Sequence, residues 1–409
     1  MEDLEAIIGK LEQENDRRAA SDPMVKTALG VVESFLKEHR VLCYGGTAIN
    51  NLLPKEDRFY NPDVDIPDYD FFSRTPQEHA MRLANKLQTV GIKNIEVKPG
   101  IHLGTFKVFA DYDAVADITE LDEELFNRLW EENIVKEGIH YVSPNFLRMS
   151  MYLELSRPRG DVSRWKKVYE RLQLLNKHYP IVCKQTEAEV HTKVSAQKKK
   201  EIRKILLEED VVLLGVTAAE THLRKEWTTP VMLLATKETI DKLTQGKEVK
   251  FHEGNEIMAP RYDIVEPDGS RHIFLYETTA CHSYHKVPGG YRVASIPTIL
   301  QYFFAYIYSN VRKGNVESFL CIAQRLMDLA DHKPKRRFEL LTPIDCLGDQ
   351  KTLIDMRKEK AELYSKLSKQ KQSADFLRYF FTYTPSAPVT ERKRLREALR
   401  KTRRVRSTP

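Results

Sequence analysis

At 409 residues the chain has room for two or three domains, each with its own core. Hydrophobic residues make up 41% and charged residues 30%, with a mean hydropathy of -0.49, an ordinary soluble globular composition. The formal charge is +6 and the pI about 8.8, so the placement of the basic residues matters more than their excess.

The N-terminus, Met1-Glu2-Asp3-Leu4-Glu5, is acidic and lacks the basic and apolar stretches of a signal peptide, so the chain is not expected to be secreted. The longest apolar run, Ile296 to Tyr308, contains a proline and a glutamine and is too short to span a bilayer. Five scattered cysteines (Cys43, Cys183, Cys281, Cys321, Cys346) form no Cys-x-x-Cys pair. They predict a reducing, intracellular setting without a disulfide framework. Cys281, His282 and His285 fall short of a four-ligand zinc set.

In chain order, Leu4, Ile7, Ile8 and Leu11 recur at helical spacing over residues 3–19. Asp22-Pro23 reads as the N-cap and first position of a second helix, which ends near His39. Val41–Tyr44 reads as a short buried strand, broken by Gly45-Gly46, with a short helix from Thr47. A polar loop at 54–67, holding Pro54, Pro62 and Pro67, leads to a strand at 68–73. Thr75-Pro76 caps a helix running to about Val90. Alternation predicts strands at 93–97, 104–110 and 113–119. Ser143-Pro144 opens an amphipathic helix to about Ser156, and a further helix from Asp161 to about Tyr179 turns Trp165, Val168, Leu172 and Leu175 inward. The first 180 residues therefore predict a mixed α/β domain.

The second half rehearses the first. Val211 to Ala218 matches Val41 to Ala48, with Gly215, Thr217 and Ala218 in register and Leu223 falling where Leu53 does. Pro230 to Thr236 echoes Pro67 to Ser73, with Val231 and Leu233 expected where two aspartates stood. Pro297-Thr298-Ile299-Leu300 mirrors Pro144-Asn145-Phe146-Leu147. The expected domains are 1–185, 186–385 and a basic tail at 386–409, with the boundary inside 180–200. The tail, rich in arginine from Arg392 to Arg406, reads as disordered or loosely helical and suited to a polyanion.

The chemistry lies in the first half. Asp68 and Asp70 alternate along a strand, so both carboxylates face one way. Two hard oxygen ligands beside a glycine turn suit Mg²⁺ with a nucleoside triphosphate, which points to nucleotidyl transfer. In such a displacement two ions about 3.5–4 Å apart require about three carboxylates. Asp117, in the apolar run Ala114-Val115-Ala116-Asp117-Ile118, is the best candidate for the third, because a bare carboxylate there is costly without a cation, with a buried ion-pair partner as the alternative reading. Asp68 and Asp70 would bridge both ions, and Asp117 would hold the one under the attacking hydroxyl. Asp63, Asp65, Asp111 and Asp113 read as loop or turn carboxylates. Gly45, Gly46 and Thr47 would offer backbone N–H groups and a hydroxyl to the triphosphate at a helix N-terminus. The densest basic stretch nearby, Arg157 to Lys167, supplies Arg157, Lys166 and Lys167 as phosphate partners, with a solvated helix face as the equal alternative.

These residues resemble the polymerase-β-like nucleotidyltransferase superfamily. More closely, Tyr44 to Ala48, Pro67 to Ser73, Asp117 and Arg157 to Trp165 are similar to the poly(A) polymerase catalytic subunits of poxviruses and other large DNA viruses. The likeness covers about residues 35–180, and Thr47 replaces a serine common in the wider superfamily. The resemblance implies a catalytic nucleotidyltransferase domain followed by a degenerate copy. It implies template-independent transfer of AMP from ATP to an RNA 3′-hydroxyl with Mg²⁺ or Mn²⁺ and release of pyrophosphate. It also implies Asp68, Asp70 and Asp117 as the metal carboxylates and Gly46 and Thr47 as the phosphate turn. A homodimer is expected by this likeness, with a viral processivity factor as the other possibility, working in cytoplasmic viral factories or the virion. Two other readings stay open: an idle RNA-binding scaffold, and a nucleotidyltransferase acting on tRNA, another nucleotide or a protein.

Overall fold

Both halves contain the same local event, a short apolar strand that runs into a glycine and turns directly into a helix. The computed structural model describes residues 2–183, 192–278, 280–309, 316–332 and 343–406. They fall into two compact units, Met1–Ser143 with Leu353–Pro409, and Pro144–Thr352.

The first unit begins with α1 (Glu2–Ser21), α2 (Pro23–Glu38), β1 (Leu42–Tyr44), α3 (Gly45–Leu52), β2 (Tyr69–Ser73) and α4 (Pro76–Thr89). It continues with β3 (Glu96–Pro99), β4 (Thr105–Ala110), β5 (Asp113–Glu120), α5 (Glu123–Glu131), β6 (Ile134–Lys136) and β7 (Ile139–Tyr141). The strands form one mixed sheet in the order β3-β4-β5-β2-β1-β7-β6. Asp22 caps α2, its carboxylate accepting from the Met24 amide at 2.7 Å. Ala28, Val32, Phe35 and Leu36 form the buried stripe of α2. Phe35 meets Phe71 of β2 and His79 of α4, with ring centroids 6.1 and 5.7 Å apart, which ties both helices to the sheet. The spacing expected for α1 is present, but Leu4, Ile7, Ile8 and Leu11 are exposed.

The second unit contains α6 (Pro144–Leu155), α7 (Trp165–His178), α8 (Ala196–Glu208), β8 (Val211–Leu214), α9 (Gly215–His222), β9 (Val231–Ala235) and α10 (Lys237–Thr244). Then come β10 (Glu248–His252), β11 (Arg261–Val265), β12 (Ile273–Glu277), β13 (His282–Lys286), β14 (Arg292–Ala294), α11 (Ile296–Ser309), α12 (Val316–His332) and β15 (Cys346–Leu347). The sheet order is β10-β11-β12-β9-β8-β14-β13-β15. Twelve of the fourteen residues of α11 are buried, so it is a core helix apolar on all sides. Its Phe304 stacks on Tyr152 of α6 and its Tyr308 meets Phe146, which places α6 in this unit. Three last helices, α13 (Leu353–Leu367), α14 (Ala374–Phe380) and α15 (Val389–Arg406), belong to the first unit, where Tyr383 exchanges backbone hydrogen bonds with Val97.

The two sheets are one topology written twice. Adding seven to each strand number of the first gives the order of the first seven strands of the second, which adds β15 at its edge, and every shared pairing keeps its direction. The parallel pair β2–β5 becomes β9–β12, and β1–β7 becomes β14–β8. The expected repeat is thus present in the fold, with α5 lacking a counterpart in the short turn between β12 and β13.

Several expectations are corrected. Tyr44 pairs with Asp70 while Leu214 pairs with Met232, so Met232 and Pro230 replace the two aspartates, one residue away from Val231 and Leu233. Four of the cysteines form disulfides, Cys183–Cys321 and Cys281–Cys346, against the expectation of none; residues 138 and 65 apart in sequence are brought together only by the fold. Of the two forms expected for the tail, it takes the helical one over α15, with 407–409 outside the described residues. Part of the expected boundary, 184–191, also lies outside them. Compact packing divides the chain after Ser143 and again before Leu353, and the functional assignment of 1–185, 186–385 and 386–409 stays a proposal. The elements α5, β6 and β7 had no sequence signal strong enough to read. Among the described residues no helix is long and apolar enough to cross a membrane.

Candidate active site

Asp70 stands in β2 between two neighbours, opposite Tyr44 of β1 on one side and Asp117 of β5 on the other. The parallel register that pairs Asp70 with Asp117 therefore lays two carboxylates side by side. Asp68 precedes the strand by one residue and shares the face of Asp70, while Tyr69 between them is buried and donates to Glu33 at 2.6 Å. One carboxylate oxygen from each of Asp68, Asp70 and Asp117 lies within 4.8 Å of the others.

Such crowding has electrostatic consequences. Partial removal from water, and then the charge of Asp117, push the Asp68 carboxyl up to about 6, with Lys107 pulling the other way. Lys107 sits in β4 directly opposite Asp117 and donates to its Oδ2 at 2.5 Å. Burial works to lower the Lys107 ammonium, but Asp117 and its fellow carboxylates outweigh burial and hold it above the usual lysine range. Asp117 Oδ1 is buried and has no hydrogen-bond partner among the described residues. A buried carboxylate oxygen left unsatisfied beside two other carboxylates is the signature of a cation site.

The glycine turn completes the site. Gly45 has φ +74°, and a Cβ on it would collide with the Asp70 carboxylate. Tyr44 is the N-cap of α3 and supplies no side-chain acceptor, so the first N–H groups of the helix, around Gly46 and Thr47, are not capped by that side chain. Thr47 is buried, and its hydroxyl donates to the Asp68 carbonyl at 2.7 Å, so it fixes the backbone that carries the carboxylates. The Tyr44 ring stacks on Phe72 at 3.9 Å and its hydroxyl meets Thr119.

Thus Gly45, Gly46, Thr47, Asp68, Asp70 and Asp117 are all in the first unit, and the three aspartates converge. Arg157, Lys166 and Lys167 are in the second. Arg157 is mostly enclosed, whereas Lys166 is 88% exposed and lies 4.0 Å from Glu170. Asp111 and Tyr112 adopt positive φ at a two-residue hairpin turn, and Asp65 accepts from the Asn61 amide, so these acids are turn and loop groups as expected. Lys107 was missed; a lone lysine inside the apolar run Thr105 to Ala110 was its signal. A second cluster, Cys183, Glu317 and Cys321, has its two thiols joined in a disulfide.

The repeated sheet with its acidic trio defines a nucleotidyltransferase-like fold. Its structure superposes on that of the Megavirus polyadenylate synthase with a TM-score of 0.78 at 18% identity, covering 98% of this chain and 89% of that one. At this identity the likeness is one of fold. Residues 30–161 match the family described as poly(A) polymerase catalytic subunit. Over 171 residues the chain is 31% identical to a poly(A) polymerase catalytic subunit of African swine fever virus (strain Badajoz 1971 Vero-adapted), 40% of this chain and 36% of the relative. It is 26% identical over 210 residues to one of Acanthamoeba polyphaga mimivirus, 49% of this chain and 35% of the relative. The chain therefore matches little more than a third of the length of these relatives. The resemblance to poly(A) polymerase catalytic subunits of large DNA viruses holds, and the matched segment contains the whole acidic trio.

Proposed function

We propose that the protein transfers AMP from ATP to the 3′-hydroxyl of RNA without a template, releasing pyrophosphate. The observation that carries this reading is the meeting of three carboxylates, from β2, the residue before it and β5, beside a helix N-terminus that the Tyr44 side chain does not cap. The oxygen-only donor set and the orphaned Asp117 Oδ1 fit Mg²⁺ or Mn²⁺. Asp68, Asp70 and Asp117 would hold two such ions, which supply positive charge against the transferring phosphoryl group. The first N–H groups of α3, with the helix dipole behind them, bind the anionic triphosphate. Gly45 leaves room for Asp70 to face that anion, and Thr47 holds Asp68 in line. Lys107 balances the trio's charge from the neighbouring strand.

The same reading gives residues 1–185 to catalysis and assigns RNA holding to 186–385, with the tail 386–409 as a further polyanion contact. Arg157, Lys166 and Lys167 are proposed phosphate partners. A homodimer acting in the cytoplasm or virion, with RNA and ATP as its ligands, follows from the viral resemblance alone; a viral processivity factor is the alternative partner.

A short RNA incubated with each nucleoside triphosphate and Mg²⁺ tests the reading. Extension with ATP is expected, and Asp68→Asn is expected to reduce the rate by about a thousandfold, the effect of several kcal/mol of lost charge stabilisation. RNA affinity of that variant should stay within about twofold, because phosphate contacts elsewhere dominate binding. A wild type that binds RNA yet extends it with no nucleotide would point to the scaffold instead, and product mass separates other acceptors.

A further inference from the structure

The second unit contains a cavity of about 380 Å³. Met149, Leu153 and Met258 give it apolar walls, and Arg157, His282 and Gln301 line it with polar atoms. Three of those atoms, Arg157 Nε, His282 Nδ1 and Gln301 Oε1, are buried with no hydrogen-bond partner among the described residues. His282 and Gln301 are only 3% and 6% exposed. Buried polar groups are nearly always satisfied, so three orphans around one cavity mark a missing partner. None of these residues belongs to the acidic trio, and Arg157, one of the proposed phosphate partners, lines this cavity.

The lining specifies what that partner must offer. Arg157 provides a cation and a donor, and Gln301 Oε1 accepts. Burial, and then the nearby Arg157, push His282 down to about 3, so its ring is neutral and suited to an uncharged heterocycle. Flexible thioether and aliphatic walls suit the faces of a flat ring. The rim carries exposed Glu253 and Glu256, which oppose several charges crowded on one group, as in a triphosphate, more than a single phosphate. The volume suits one drug-sized group.

We propose that this cavity holds a single nucleotide unit, a base with one phosphate, either free or as one residue of an RNA strand. The base donates an exocyclic amine to Gln301 and the phosphate meets Arg157. The choice of a nucleotide over another flat polar ligand rests on the proposed function.

Calorimetric titration of the full chain with AMP, and separately with a ten-residue RNA, tests it in wild type and Gln301→Leu. The variant is expected to weaken binding about tenfold, the loss of one buried hydrogen bond. Weakening with AMP identifies a free nucleotide; weakening with RNA alone identifies a strand residue. If Gln301→Leu melts within about 2 °C of wild type and binds both ligands equally well, the cavity holds water only and the proposal fails. If the variant is destabilised, photolabelling of wild type with 8-azido-AMP and 4-thiouridine RNA decides. Crosslinks within 253–260 or 296–309 support the site, and crosslinks confined elsewhere overturn it. ATP-dependent extension by wild type, measured in parallel, separates the two claims: extension with unaltered binding removes the cavity proposal alone, and no extension removes the catalytic one.

Discussion

At the residue scale, Gly45 and Gly215 form a natural pair. Both adopt positive φ at the same strand-to-helix turn, +74° and +65°, and a Cβ at either would strike the side chain of the facing strand. At Gly45 the struck atom is the Asp70 carboxylate; at Gly215 it is the Met232 thioether. Gly45→Ala and Gly215→Ala are each expected to cost about 1–2 kcal/mol from the left-handed backbone. Only Gly45→Ala should remove most RNA extension, because Asp70 must rotate away from its two partners. Melting curves beside primer-extension rates check this, and equal rates in the two variants would contradict the role given to Asp70. The pair Asp68 and Asp70 was legible in the sequence because alternation along a strand is local. Lys107 was not, since its meaning comes from facing Asp117 across a sheet.

At the scale of elements, local signals set most helix starts. Asp22-Pro23 reads as a cap and first turn, and the structure shows the carboxylate on the Met24 amide. Asp22→Ala is expected to cost about 1 kcal/mol, seen as a lower melting temperature with extension unchanged. Thr75 illustrates the opposite case: its side chain makes no capping bond, and its own amide instead donates to Ser73 Oγ. Short strands were the least legible. The three residues each of β6 and β7 carry no alternation long enough to read, and pairing with each other and with β1 makes them strands. The same limit explains the shift of one residue at Met232, since only pairing with Leu214 sets that register.

At the scale of the whole molecule, the repeated topology separates a copy with carboxylates from one with methionine and proline at the matching places. The second copy also buries two neutral histidines, His222 and His282. Burial pushes His222 down to about 4 and His282 to about 3. Below the usual histidine value near 6.5 the unfolded chain takes up protons that the folded one refuses. Stability is thus fully present above pH 6.5 and declines as pH falls towards 4. The decline approaches about 1.4 kcal/mol per pH unit for each histidine. Denaturant unfolding at pH 7, 6 and 5 measures it. A wild type equally stable at all three, or His222→Gln retaining the full wild-type slope, would show that these rings do not drive the change.

What the sequence determined by itself was what neighbouring residues decide together: the glycine turn, the alternating aspartates, the helix caps and the echo of that pattern after residue 210. These depend on backbone dihedrals and side-chain direction over a few positions. Tertiary structure decided which distant residues share space. It joined Asp117 to the pair, set Lys107 against it, closed two disulfides and moved α6 into the second unit. Those outcomes depend on sheet register and helix packing between segments tens of residues apart, where chain spacing carries no distance information.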